Sequence, residues 1–92
     1  MRHFLMHDGR DNVGVAVVDI KKGENAAGVS LDGGTKREIA ALQDVPLGHK
    51  IALKSFNVGD PVIKYGEDIG RVVAAIQAGE HVHVHNLKTK RW

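Results

Sequence analysis

Four five-residue segments of this chain share one pattern. They are Ile20-Lys21-Lys22-Gly23-Glu24, Val45-Pro46-Leu47-Gly48-His49, Phe56-Asn57-Val58-Gly59-Asp60 and Ile76-Gln77-Ala78-Gly79-Glu80. Each reads as an apolar residue, two further residues, glycine, then a polar residue. This is the signature of one tight turn used four times: the apolar residue tucks inward and glycine takes a positive φ that other residues resist. Pro46 presets the first turn position in the second copy. The four glycines are unequally spaced, which excludes a solenoid and leaves a compact arrangement of short strands joined by related turns.

The hydrophobic runs agree with that arrangement. Val13 to Val18, Ile51 to Leu53, Val62-Ile63 and Arg71 to Ala74 are short, rich in Val, bounded by Gly, Asp, Asn or Pro, and read as strands. The best helical candidate, Val72 to Gln77, is confined by Gly70 and Gly79, so the expected class is all-β or nearly so. Asp32-Gly33 between extended residues predicts a hairpin. Asn25-Ala26-Ala27 reads as a loop. Without a Pro/Ser-rich linker or low-complexity segment, residues 1–92 are expected to form a single domain.

A chain of 92 residues buries only roughly 60–65% of its unfolded surface, so its core is modest and a partner subunit or self-association would help it. Cysteine is absent, which excludes disulfides, thiol chemistry and a Cys-based zinc site. No run approaches the ~18 apolar residues of a membrane span, and the first residues lack a signal-peptide core, so a cytoplasmic protein is expected. Net charge is +2, but no acid follows Glu80, where three histidines, Lys88, Lys90 and Arg91 gather. Such an end suits a small anion or an acidic protein surface, or serves solubility alone. Four aromatic residues, with no basic stripe between them, argue against nucleic acid.

That C-terminal stretch, Gly79-Glu80-His81-Val82-His83-Val84-His85-Asn86-Leu87-Lys88, is the chemically informative one. On a strand, His81, His83 and His85 would share one face and Val82 and Val84 the other. Alternate residues stand about 6.5–7 Å apart along a strand, so a metal site needs the rings to lean together and a further ligand such as His49 or a partner residue. Proton transfer by one of these imidazoles suits neutral pH, and a solvated strand face remains the plain alternative. Lys64-Tyr65 at a strand end can offer an ammonium and a phenol to an anion, or simply pack. His49 and Lys50, adjacent in sequence, point to opposite faces unless a turn intervenes. No Ser-His-Asp set, carboxylate pair or phosphate-binding glycine loop is legible.

Several of these segments form an ordered set: Gly48-His49-Lys50-Ile51-Ala52-Leu53, Pro61-Val62-Ile63-Lys64-Tyr65-Gly66, Ile69-Gly70, Gly79-Glu80-His81-Val82-His83 and His85-Asn86-Leu87. In that order and spacing, from about Asp11 to Trp92, the chain resembles the N-terminal domain of the altronate and galactarate dehydratase family. The resemblance implies the β-clip fold of SAF domains. In that family the domain usually precedes a much larger catalytic region. A chain of this size resembles the small subunit of a two-subunit carbon–sulfur lyase that takes 3-sulfolactate to pyruvate and sulfite. The small subunit of a split altronate-type hydro-lyase is the second reading.

The resemblance further implies a divalent metal, iron in particular, held mainly by a large catalytic subunit, and a small anionic substrate. It points to His83 and His85 as catalytic residues, and to His49, Lys64, Tyr65, His81 and Asn86 as substrate-binding residues. Two alternatives carry no chemistry in this chain: a domain that only props up or gates the large subunit, and an independent SAF-type binding module.

Overall fold

The computed structural model describes residues 2–7, 9–64 and 67–89, and the four glycine turns stand where the pattern places them. Gly23, Gly48, Gly59 and Gly79 have φ of 93°, 85°, 93° and 92°, and the apolar residue opening each turn is buried. The turns associate in two pairs through isolated antiparallel bridges, Ile20 with Val45 and Phe56 with Ile76. Within each pair the main-chain bonds are reciprocal. Gly23 N–H donates to Ala41 O, and Gly48 N–H to Ala16 O; each acceptor stands four residues before the bridging residue of the opposite turn. Gly59 with Val72 and Gly79 with Ala52 repeat the relation. In the first pair, Lys22 N–H donates to Asp44 Oδ1 at 2.8 Å and Leu47 N–H to Asp19 Oδ1 at 2.9 Å.

The described residues form nine short strands: β1 Phe4–Met6, β2 Val13–Ala16, β3 Asn25–Ser30, β4 Lys36–Ala40, β5 Lys50–Ala52, β6 Pro61–Lys64, β7 Glu67–Val72, β8 His81–Val82 and β9 Leu87–Thr89. One sheet has the order β4-β3-β1-β2-β5-β8 and a second the order β6-β7-β9. Every pairing is antiparallel except β1 with β3. No helix occurs among the described residues, and so none is long and apolar enough to cross a membrane. The all-β, β-clip expectation holds.

Each turn pair carries its own core. Phe4, Met6, Ala16, Ile20, Val45, Ile51 and Leu53 belong to one cluster; Val13, Ala52, Phe56, Val62, Val72, Ile76 and Val82 belong to the other. Strand β5 and the residue that follows it lie between them, with Ile51 and Leu53 in the first core and Ala52 in the second. A strand buried on both faces is held in one register, because a one-residue slip would exchange its two apolar sets.

Two local expectations change. Asn25-Ala26-Ala27 is strand, not loop: it begins β3, pairs with Ala40, Ile39 and Glu38, and Ala26 is fully buried. Small residues are poor strand formers alone, but β4 supplies the ladder for all three. The N-terminal β1, which no sequence signal marks, lies inside the larger sheet between β2 and β3. The Asp32-Gly33 hairpin is present, with Gly33 at φ 80° and Asp32 Oδ1 accepting the Gly34 N–H.

The Phe4 ring lies over two glycines of the adjoining strands. A methyl on Gly28 would stand 2.1 Å from a Phe4 ring carbon, and one on Gly14 2.3 Å. Gly28→Ala is therefore expected to cost about 1–3 kcal/mol by overpacking, read from urea unfolding. Gly34→Ala, whose methyl meets only Asp32 Oδ1 at 3.6 Å, should stay within about 0.5 kcal/mol of the parent.

Candidate functional site

Strand β5 leaves the second turn and strand β8 leaves the fourth, and the two pair antiparallel with Lys50 opposite Val82 and Ile51 opposite His81. The same register carried one residue further sets His49 opposite His83. The rings meet accordingly: His49 stacks on His83 with centroids 4.1 Å apart, and His49 Nδ1 hydrogen-bonds His81 Nε2 at 2.8 Å. The ligand nitrogens of His49, His81 and His83 all lie within 4.8 Å of one another. Residues more than 30 positions apart in sequence thus form one imidazole cluster.

The strand expected over His81 to His85 ends after Val82. His83 to Asn86 form a turn in which His83 O accepts the N–H groups of Asn86 and Leu87. Val82 is buried as expected, but Val84 is 77% exposed, so the two valines do not share a packed face. The turn is set by Asn86. Its buried side chain accepts the His83 N–H at 2.9 Å and donates to His81 O at 2.8 Å. Both ends of the Asn86 amide are used inside the turn, which holds His81 and His83 in place. His85 is exposed, with its ring 5.3 Å from that of His81 and outside the three-nitrogen cluster.

Lys50 adjoins this cluster, its charge acting on both His81 and His83. Lys50 and Lys64 line a cavity of about 540 Å³ together with Glu67 and Asp68. Burial lowers the Lys50 pKa, and the charge of Lys64 lowers it further. Despite their opposite alternation, His49 and Lys50 act on the same place, since both charges disfavour protonation of His81 and His83. Tyr65, the remaining sequence candidate, lies outside the described residues. The residue that sequence reasoning undervalued is Lys50; its adjacency to His49 was the available signal, and strand alternation argued against using it.

Burial is the first cause that lowers the pKa of His81 and His83. His81 is pushed down to about 4 from an ordinary 6.5 by desolvation, then by the neighbouring His49, His85, His83 and Lys50 charges. His83 is also lowered, by burial first and then by the His49, Lys50 and His85 charges. His83 Nδ1 is buried and has no hydrogen-bond partner among the described residues. A buried polar atom left without a partner normally costs stability, so its retention fits a role toward a bound group. Neutral imidazoles with converging nitrogens are metal ligands or proton acceptors.

The depressed values carry a stability consequence. Between pH 6.5 and about 4 the unfolded chain takes up protons that folded His81 refuses, so stability is full above that window and falls as pH drops through it. Urea unfolding of the chelator-treated chain should show this decline. His81→Gln should flatten the profile relative to the parent, the carboxylates common to both contributing equally; an identical slope in both would count against a depressed His81.

Comparison with known proteins covers the same residues. The chain matches the family model described as the altronate/galactarate dehydratase SAF domain over residues 2–90, a span that extends upstream of Asp11 and takes in β1. It is 46% identical over 90 residues to a (2R)-sulfolactate sulfo-lyase subunit alpha of Chromohalobacter salexigens, covering 97% of this chain and 96% of that one. A protein of the same name from Paracoccus pantotrophus is 57% identical over 54 residues, 59% of this chain and 81% of its own. Altronate dehydratase of Bacillus subtilis is 43% identical over 91 residues, 97% of this chain but 17% of that enzyme. Nearly the whole chain is thus accounted for by one kind of domain, whether free or carried by a larger enzyme, and the protein belongs to the altronate/galactarate dehydratase SAF domain family.

Proposed function

We propose that this chain is the small (alpha) subunit of a two-subunit carbon–sulfur lyase that converts (2R)-sulfolactate to pyruvate and sulfite. The observation that carries the reading is identity: 46% over 90 residues to one sulfo-lyase alpha subunit and 57% over 54 residues to another, against 43% over 91 residues to altronate dehydratase. An alpha subunit implies a partner, here a large subunit that supplies most of the catalytic residues. The assembly is cytoplasmic in this reading.

The reaction removes the C2 proton of 3-sulfolactate and breaks the C3–S bond, whose electron pair leaves with sulfite. The enol left behind becomes pyruvate. The substrate is a dianion of sulfonate and carboxylate, and Lys50, whose charge reaches His81 and His83, supplies attraction for it. His85, exposed at the rim next to His81, is placed to exchange a proton with substrate or solvent. His83 and His81 face the substrate's anionic groups or a metal, and Asn86 keeps both on the same side.

A divalent cation, iron in the family reading, fits the nitrogens of His49, His81 and His83, which would hold it from this chain while the large subunit completes the set. When bound, such a cation draws electron density from the substrate's oxygens and favours loss of the C2 proton. The burial that keeps His81 and His83 neutral preserves the lone pairs this needs.

The test is sulfite release from 3-sulfolactate by the chain mixed with a candidate large subunit, under reducing conditions with added iron. Sulfite is expected only in the mixture. Water loss from altronate instead would move the function to sugar-acid dehydration, and silence with both substrates would favour a binding module. In an active mixture, His83→Ala and His85→Ala should lower turnover by about a hundredfold or more. His3→Ala and His7→Ala should not; the His3 ring accepts the Ala27 N–H, so its loss should register in stability. Equal, small effects from all four would remove the histidine face from the chemistry.

A further inference from the structure

Three of the four glycine turns end in an acid, and each acid does the same work. Glu24 Oε1 accepts the Lys21 N–H at 2.6 Å, Asp60 Oδ2 the Asn57 N–H at 2.8 Å, and Glu80 Oε1 the Gln77 N–H at 2.6 Å. The second turn is built on the same main-chain frame: the N–H of its fifth residue donates to the carbonyl of its second in all four copies, at 2.9 to 3.0 Å. What differs is that its second residue is Pro46, which has no N–H to be capped. The fifth position there carries His49, the residue that crosses to His81 and His83.

The two facts are linked through one atom. Histidine Nδ1 is as many bonds from Cα as an aspartate Oδ, so His49 could cap a turn N–H as Asp60 does. His49 Nδ1 is also the atom that hydrogen-bonds His81 Nε2. With His81 Nε2–H as the donor of that bond, any residue at position 46 with an N–H would compete with it for the His49 Nδ1 lone pair. We propose that Pro46 is a positioning residue of the histidine site: by deleting the competing donor, it commits the His49 ring to His81 and His83. The idea rests on the proposed role of those rings only for its functional consequence, not for its structural one.

Pro46→Ala restores the donor at little conformational cost, since alanine accepts the φ that proline enforces. In the metal-free chain, two NMR observables report the competition. The new backbone amide at position 46 should be protected from hydrogen exchange, and the 15N–15N coupling across the His49–His81 hydrogen bond should weaken or vanish. Pro46→Ser, which restores the same N–H beneath a different side chain, should reproduce both. Apparent affinity for Co2+ should fall about three- to tenfold in either variant, the worth of one competing neutral hydrogen bond. A position-46 amide that exchanges as an open one, with the ring coupling intact, overturns the proposal. Altered NMR signals with no Co2+ binding by the parent would leave the positioning role standing and remove the metal reading instead.

Discussion

The reciprocal main-chain bonding of paired glycine turns is what the rest of the molecule depends on. Each bridge, Ile20 with Val45 and Phe56 with Ile76, joins segments 20 to 25 residues apart and points two apolar side chains into a core. Closing such loops costs conformational entropy that these few hydrogen bonds and buried aliphatic groups must offset. A positive φ at glycine is the condition for the closure, because a side chain there would resist the backbone path. The strands can then be very short: β5 and β8 have three and two residues, yet their register is held by the turns from which they emerge.

The histidine cluster is a by-product of that scheme. Two turns from different pairs deliver β5 and β8 side by side, so the residue ending one turn and those following the other meet. The resulting cluster sits in tension. Burial lowers the pKa of His81 and His83, the Lys50 charge lowers both further, and His83 Nδ1 has no hydrogen-bond partner among the described residues. A site of this kind is less stable than an apolar patch of the same size, which is the usual mark of residues retained for function.

Much was legible before any coordinates. Turn positions, glycine handedness, strand class and the hairpin at Asp32-Gly33 all follow from local rules about φ, periodicity and residue chemistry. The failures were non-local. Asn25-Ala26-Ala27 becomes strand because β4 supplies its ladder, and Phe4–Met6 is central although its three residues carry no pattern. The regular His-Val alternation suggested one long strand, but Asn86 gathers His81 O and His83 N–H and turns the chain after Val82. An amide four residues past a strand end leaves no periodic trace.

The sequence by itself determined that this is an all-β domain punctuated by four equivalent turns, and that its reactive groups are imidazoles and ammoniums with no thiol among them. Those properties belong to single residues and to spacings of two to five positions. Only the tertiary structure decided that His49 joins His81 and His83, that His85 stands apart and that Lys50 faces the same place. The pairing of β5 with β8 is a contact across some 30 residues, chosen by which apolar faces can be buried together, and no local signal encodes that choice.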